Sequence, residues 1–364
     1  MTRICLSLTL IGLIFVGATS ASSAQEIAPA DYARVNAALV ETHALPRYER
    51  LATATDAFAM ATEAICTGEG DADHERLRAG FHDAMDAWMG VQHLRFGPVD
   101  SRMRGFRFYF WPQARNKVGE AVAELVAEGQ DEATLATRIE RANVAVQGLL
   151  AAEVLVYDDR YLGADANGCA LLTAVAANMR SMASAMLAEW REGDPSFARV
   201  MATPGPDNAY FEDHAAATLA FFQGFHDSMQ LIYDINLKPV IGDSAKTVRP
   251  VLAESRLSGR SQRNIVVTME ALQALYLGGG SAGLGDLTAV ADPKLDRLMR
   301  KAFRLTLETA RSIEGPVEQA AADPALRPPV KKLAKQMQAL KQIVRDRLAP
   351  ALGLAVGFNA LDGD

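Results

Sequence analysis

Residues 168–193, GCALLTAVAANMRSMASAMLAEWREG, decide the fold class. Apolar residues recur there at spacings of three and four, and the strong helix formers alanine, leucine and methionine dominate the run. Working outward, the same periodicity covers 28–44, 47–67, 74–93, 114–128, 132–157, 208–236, 259–277, 292–313 and 327–347, and no alternating strand series interrupts it. Breaks are expected at Pro46, Gly97-Pro98, Pro112, Pro204-Gly205-Pro206, Pro239, Pro250, Gly278-Gly279-Gly280 and Pro328-Pro329. The chain reads as all-α. The stretch Gly193 to Asn208, GDPSFARVMATPGPDN, is the best domain boundary. It gives two packed helical bundles, N-terminal over 25–200 and C-terminal over 201–364. Gly80-Phe81-His82-Asp83-Ala84-Met85 is echoed by Gly224-Phe225-His226-Asp227-Ser228-Met229, a hint of internal duplication.

The N-terminus sets the compartment. Arg3, an apolar core from Leu6 to Val16, and small residues ending at Ala24 have the layout of a secretory signal peptide over 1–24. The run is short for a membrane span, and no later segment reads as one, so an exported, soluble protein is expected. The formal charge is −7, and loss of Arg3 leaves −8, which gives no general attraction to nucleic acid. Cys5 falls in the leader. Cys66 and Cys169 remain, an even pair in an oxidising compartment, and they read as a disulfide.

Several enzyme patterns fail by context. Gly279-Gly280-Ser281-Ala282-Gly283 spells a nucleophile elbow, and Gly278, Gly280 and Gly283 a dinucleotide loop, but both need a preceding strand where Thr268 to Leu277 is helical. His74-Glu75 opens a zinc-protease motif whose second histidine position is Arg78.

Inward polar residues are more informative. If 132–157 is one helix, Leu135, Ile139, Ala142, Val146, Leu149, Glu153 and Val156 form one row, and a carboxylate in that row needs a cation, donors or a metal. Gly148, one turn back, allows a backbone or a ligand to approach closely. His43 continues the row of Val35 and Leu39 and is a candidate metal donor with Glu153, set against a hydrogen-bonded core histidine. Arg95, Arg102, Arg104 and Arg107 are interleaved with aromatics over 94–113, which suggests a bundle-end plug whose arginines neutralise acids such as Glu153. Ser258 and Ser261, with Arg260, begin the helix that runs to Tyr276, where they either cap it or hold an anion.

Taken in order, these segments resemble the imelysin family, iron-regulated exported proteins also classed as M75 peptidases. The resemblance rests on Trp88 with Gln92-His93-Leu94-Arg95-Phe96-Gly97-Pro98, Phe110-Trp111-Pro112 with Arg115-Asn116, and Gln147-Gly148 through Glu153. Cys169-Ala170-Leu171-Leu172 and Ser258-Gly259-Arg260-Ser261 with Leu275-Tyr276 complete it. It implies a two-domain all-helical fold, a periplasmic or outer-surface setting, and a role linked to iron or other metal uptake. The family motif is Gly-x-His-x-x-Glu, beside a pocket between the domains. Here the glycine is Gly148, the glutamate Glu153, and the histidine position holds Leu150, so no complete open zinc site is visible.

The leading expectation is a periplasmic protein that binds a metal or small anionic ligand at Glu153, Gly148, Arg107, Ser258, Arg260 and Ser261. Iron, or another divalent or trivalent metal, would be held by Glu153 and His43. The rivals are a module that docks an envelope membrane transport protein without metal chemistry, and a metallopeptidase.

Overall fold

In the computed structural model, which describes residues 26–68, 73–113, 116–161 and 166–354, every regular element is a helix. The expected signal peptide and Arg115 lie outside the described residues. The longer helices are α1 (Pro29–Leu39), α2 (Leu45–Thr67), α3 (His74–Met89), α4 (Lys117–Ala127), α5 (Gly148–Tyr157) and α6 (Ala166–Arg191). They continue with α7 (His214–Gln230), α8 (Ser261–Leu277), α9 (Leu284–Ala291), α10 (Pro293–Arg311) and α11 (Arg327–Ile343).

Local chemistry sets several ends. The Asp73, Asp213 and Asp292 carboxylates accept from the first free amides of α3, α7 and α10. At the other end, Gly68 and Gly278 take left-handed conformations that close α2 and α8.

Two expected breaks are not breaks. Pro46 and Pro239 lie inside continuous helical rods, 29–67 and 214–241. Each follows a π-helical stretch, Val40–Ala44 and Leu231–Leu237, and a third, Val344–Leu348, precedes Pro350 in the same way. Proline lacks an N–H and its ring collides with the carbonyl four residues back. Widening the turn moves that carbonyl, Thr42, Ile235 or Asp346, away from the ring and lets the helix continue.

The opposite correction applies to 132–157. It is not one helix, because Ala142 and Gln147 are extended and helical pieces at 132–138, 139–141 and 144–146 precede α5. The Asn143 side chain accepts the Ala145 amide and Gly148 has φ +69°, so local polar bonding wins over periodicity.

Packing gathers the chain around α2, which lies between α3 and α6, while α5 packs on α6. In the second half α10 packs on α8, α9 and α11. Contacts cross between the halves where α1 meets α7 and α9, and α8 meets α3. Cys66, at the end of α2, and Cys169, in the first turn of α6, form a disulfide with Cα atoms 5.5 Å apart. By length and composition α6 is apolar enough to cross a membrane, contrary to the expectation from sequence. More than half of its apolar window is buried inside the fold.

Candidate functional site

The site begins at Gly148. A Cβ there would lie 2.2 Å from the Phe108 carbonyl oxygen and 2.4 Å from that of Arg107, so the backbone of 107–108 passes directly over the start of α5. Arg107 is fixed beside it: its Nε donates to Gln147 Oε1 at 3.0 Å and its Nη2 to Asn178 Oδ1 at 3.2 Å. Arg104 donates to the Glu189 carboxylate at 2.6 and 2.9 Å. The expectation that this arginine-rich segment neutralises Glu153 is therefore corrected. Its inward arginines serve amide side chains and Glu189, because α5 begins anew at Gly148 and aims Glu153 elsewhere. The aromatic plug is present, with Trp88 stacked on Phe108 at 4.6 Å.

Glu153 is buried and its Oε1 is clamped by one residue, accepting from the Ser258 amide at 2.9 Å and the Ser258 hydroxyl at 2.6 Å. An anion does meet the turn before α8, and it is the protein's own carboxylate. Burial pushes the Glu153 carboxyl above its ordinary value, while the Ser258 bonds and the nearby Arg260 and Arg256 charges pull it back. Oε2 makes no hydrogen bond to the described residues.

A second buried acid, Glu254, sits behind it. Tyr109 Oη donates to its Oε1 at 2.9 Å and Asn236 Nδ2 to its Oε2 at 3.0 Å, and Asn236 Oδ1 accepts from Trp111 Nε1 at 2.9 Å. Burial pushes the Glu254 carboxyl up to about 7, with the Tyr109 bond opposing and Glu153 adding to the rise. The native state therefore holds a proton that the unfolded chain has released. Stability from this group is complete below its ordinary value of 4.5 and is lost as pH rises through 7. Denaturant midpoints measured from pH 5 to 8 are expected to fall relative to those of Glu254→Gln, which keeps a neutral side chain throughout. Parallel profiles would refute a raised carboxyl at Glu254.

Glu153 and Trp111 border a cavity of about 730 Å³, whose walls also include Leu150, Val154, Ile235 and Arg256. They come from both sides of the 193–208 stretch. A second cavity of about 790 Å³, bounded by Gly97, Pro98, Phe197 and Tyr210, touches none of Gly148, Leu150 and Glu153.

The other expected site residues separate into distinct clusters. Arg260 Nη1 donates to His82 Nδ1 at 2.8 Å, and its Nη2 pairs with Asp86, which also accepts from Arg263 Nη2 at 2.7 Å. Because arginine only donates, His82 carries its proton on Nε2, which bonds Tyr157 Oη at 2.8 Å. Ser261 Oγ donates to Glu318 Oε2 at 2.6 Å and accepts from the Val317 amide at 2.9 Å, tying α8 to the helix 317–322. His43 lies in the π-helical stretch before Pro46, and its Nε2 is 2.6 Å from His93 Nε2. Both rings are buried, and burial holds both well below the ordinary histidine value, with Arg47 adding to the effect. The structure thus joins Glu153 directly to Ser258, sets Arg107 beside Gly148 on amide partners, leaves Arg260 on His82 and Asp86 with only its charge reaching Glu153, and places His43 and Ser261 on other partners. No group of three or more His, Cys, Asp and Glu residues able to hold a metal occurs among the described residues.

Glu254, Tyr109 and Asn236 were not singled out from sequence, and His93 entered only as one residue of the resembling segment, with no role. Glu254 lies in irregular backbone between Pro250 and Ser261, where no periodicity reports burial. His93 follows the end of α3 in a turn and carries no row either.

The family model described as imelysin, Peptidase M75, matches residues 44–344. Among solved structures, an imelysin-like protein from Psychrobacter arcticum 273-4 is similar with a TM-score of 0.73 and 17% identity, over 92% of this chain and 99% of that one. A candidate iron-regulated protein A precursor from Parabacteroides distasonis ATCC 8503 gives a TM-score of 0.73 and 18% identity, over 89% and 96%. No curated protein matches the chain.

Proposed function

This chain belongs to the imelysin family, and from that premise we propose that it is an exported, periplasmic binding protein of iron acquisition whose ligand occupies the cavity at Glu153. The observation that carries the reading is a buried carboxylate on a cavity wall, with one oxygen clamped by Ser258 and the other without a hydrogen bond among the described residues. The iron-regulated relative in the fold comparison supports the link to iron.

The residues present do not fit a bare ion. Leu150 offers no donor, His43 is engaged with His93, and one carboxylate oxygen cannot satisfy a six-coordinate iron. A metal reaching this cavity would have to arrive as a chelate that supplies its remaining donors. Calorimetric titration of metal-stripped protein with ferrous, ferric, cupric and zinc ions and with ferric citrate tests this. Ferric citrate is expected to bind, with affinity reduced about tenfold or more in Glu153→Gln, while the bare ions bind weakly. No binding of any of these, or binding indifferent to Glu153→Gln, would refute the reading.

A second reading, docking of an envelope transport partner, is favoured by one observation: Val251, Leu252 and Leu257 on the cavity rim are exposed apolar side chains.

A further inference from the structure

The cavity at Glu153 has an asymmetric chemistry. One side is apolar, with Trp111, Leu150, Val154 and Ile235 on the walls. That surface continues outward over Val251, Leu252 and Leu257, which are 71%, 38% and 40% exposed, so the apolar track leads from inside the cavity to solvent. A site for a small hydrated ion has no use for such a track.

The polar side is equally restricted. Arg256 lines the cavity, is exposed, and makes no ion pair or side-chain hydrogen bond among the described residues. It lies close enough to Glu153 for its charge to act on that carboxylate. By contrast, Arg260, Arg263, Arg104 and Arg107 are all engaged with protein partners. Glu153 contributes one acceptor, its Oε2. Among the described residues the cavity lining therefore presents one uncommitted cation, Arg256, one uncommitted carboxylate oxygen, that of Glu153, the neutral side-chain amides of Gln113 and Asn116 at its edge, and an apolar wall that includes Leu150.

We propose that the ligand is an amphipathic organic anion: an acyl-type apolar body bearing one acid group and an adjacent hydroxyl or amine donor. The acid group meets the Arg256 guanidinium, the donor bonds Glu153 Oε2, and the apolar body lies along Leu150, Trp111 and Ile235 toward Val251 and Leu257. Leucine at position 150 is what turns this wall from a donor surface into an apolar one. The proposal rests on the cavity being a ligand site, and it names the class of ligand.

Calorimetric titration of the purified protein with 3-hydroxydecanoate, decanoate and 1-decanol tests it. The expected order is 3-hydroxydecanoate tightest, decanoate next, and 1-decanol at least about tenfold weaker than decanoate. Arg256→Gln, an exposed substitution that removes no side-chain contact among the described residues, is expected to bring decanoate down to the level of 1-decanol. Leu150→Asn is expected to weaken all three. Absent decanoate binding, or decanoate affinity unchanged in Arg256→Gln, overturns the proposal. If decanoate fails while ferric citrate still binds in a Glu153-dependent way, only the ligand class is wrong. If no probe binds the cavity, the ligand-site reading falls with it.

Discussion

Gly148→Ala is expected to leave little folded protein, with a loss of about 4 kcal/mol or more. Two effects combine. The residue has φ +69°, a region that costs a non-glycine residue about 1–2 kcal/mol. The added methyl would also sit 2.2 and 2.4 Å from two backbone carbonyl oxygens, and backbone cannot rotate away as a side chain can. Relief would require lifting the 107–108 backbone, with its buried Phe108 and the Arg107–Gln147 bond, off α5. Against a typical stability of about 5–15 kcal/mol this is a large fraction. Gly105→Ala is the control: its nearest contact would be an ordinary 3.5 Å to Val99, and a helical alanine is if anything favourable. Denaturant midpoints of the two variants decide the matter. If Gly148→Ala unfolds within about 1 kcal/mol of Gly105→Ala, the close approach described here is wrong.

Reduction of the Cys66–Cys169 disulfide is expected to be the other large effect. The bridge spans 103 residues, and closing a loop of that size removes about 4–5 kcal/mol of unfolded-state entropy. It also pins the end of α2 to the start of α6, the pair of helices at the centre of the first half. The double variant Cys66→Ser/Cys169→Ser and the chemically reduced protein are expected to unfold at clearly lower denaturant concentration than the oxidised protein, and at similar values to each other. Coincident oxidised and reduced curves would show that the fold does not depend on the bridge.

The all-helical class was legible because α2, α3, α6, α7, α8 and α10 are each long and carry an apolar row that the fold buries. The disulfide was legible from cysteine count and compartment together. What misled was local chemistry acting against pattern. Pro46 and Pro239 read as stops because proline usually is one, and nothing in the letters announces a π turn that spares the helix. The row through Leu135, Ile139, Val146, Leu149 and Glu153 kept its period across Ala142 and Gln147, although the backbone there is extended. Burial of Glu153 was anticipated all the same, while its partner was not: Ser258 lies 105 residues away, and which helix start meets which carboxylate is a property of tertiary packing. Ser261 was placed on an inward face by its row and Arg107 was expected against a buried acid; their partners, Glu318 and Gln147, were invisible for the same reason.

The π-helical stretches before Pro46, Pro239 and Pro350 also bear on how this architecture tolerates insertion and deletion. Removing one residue from an α-helical rod rotates everything beyond it by about 100°, which turns a buried row toward solvent. A π turn already carries a surplus residue, so a deletion there relaxes to ordinary helix and leaves the faces on either side in register. Replacing the following proline would remove the reason for the surplus. Ancestral length changes are therefore absorbed most easily beside these prolines, at the junction that carries His43 in the first rod and beside the cavity-lining Ile235 in the second.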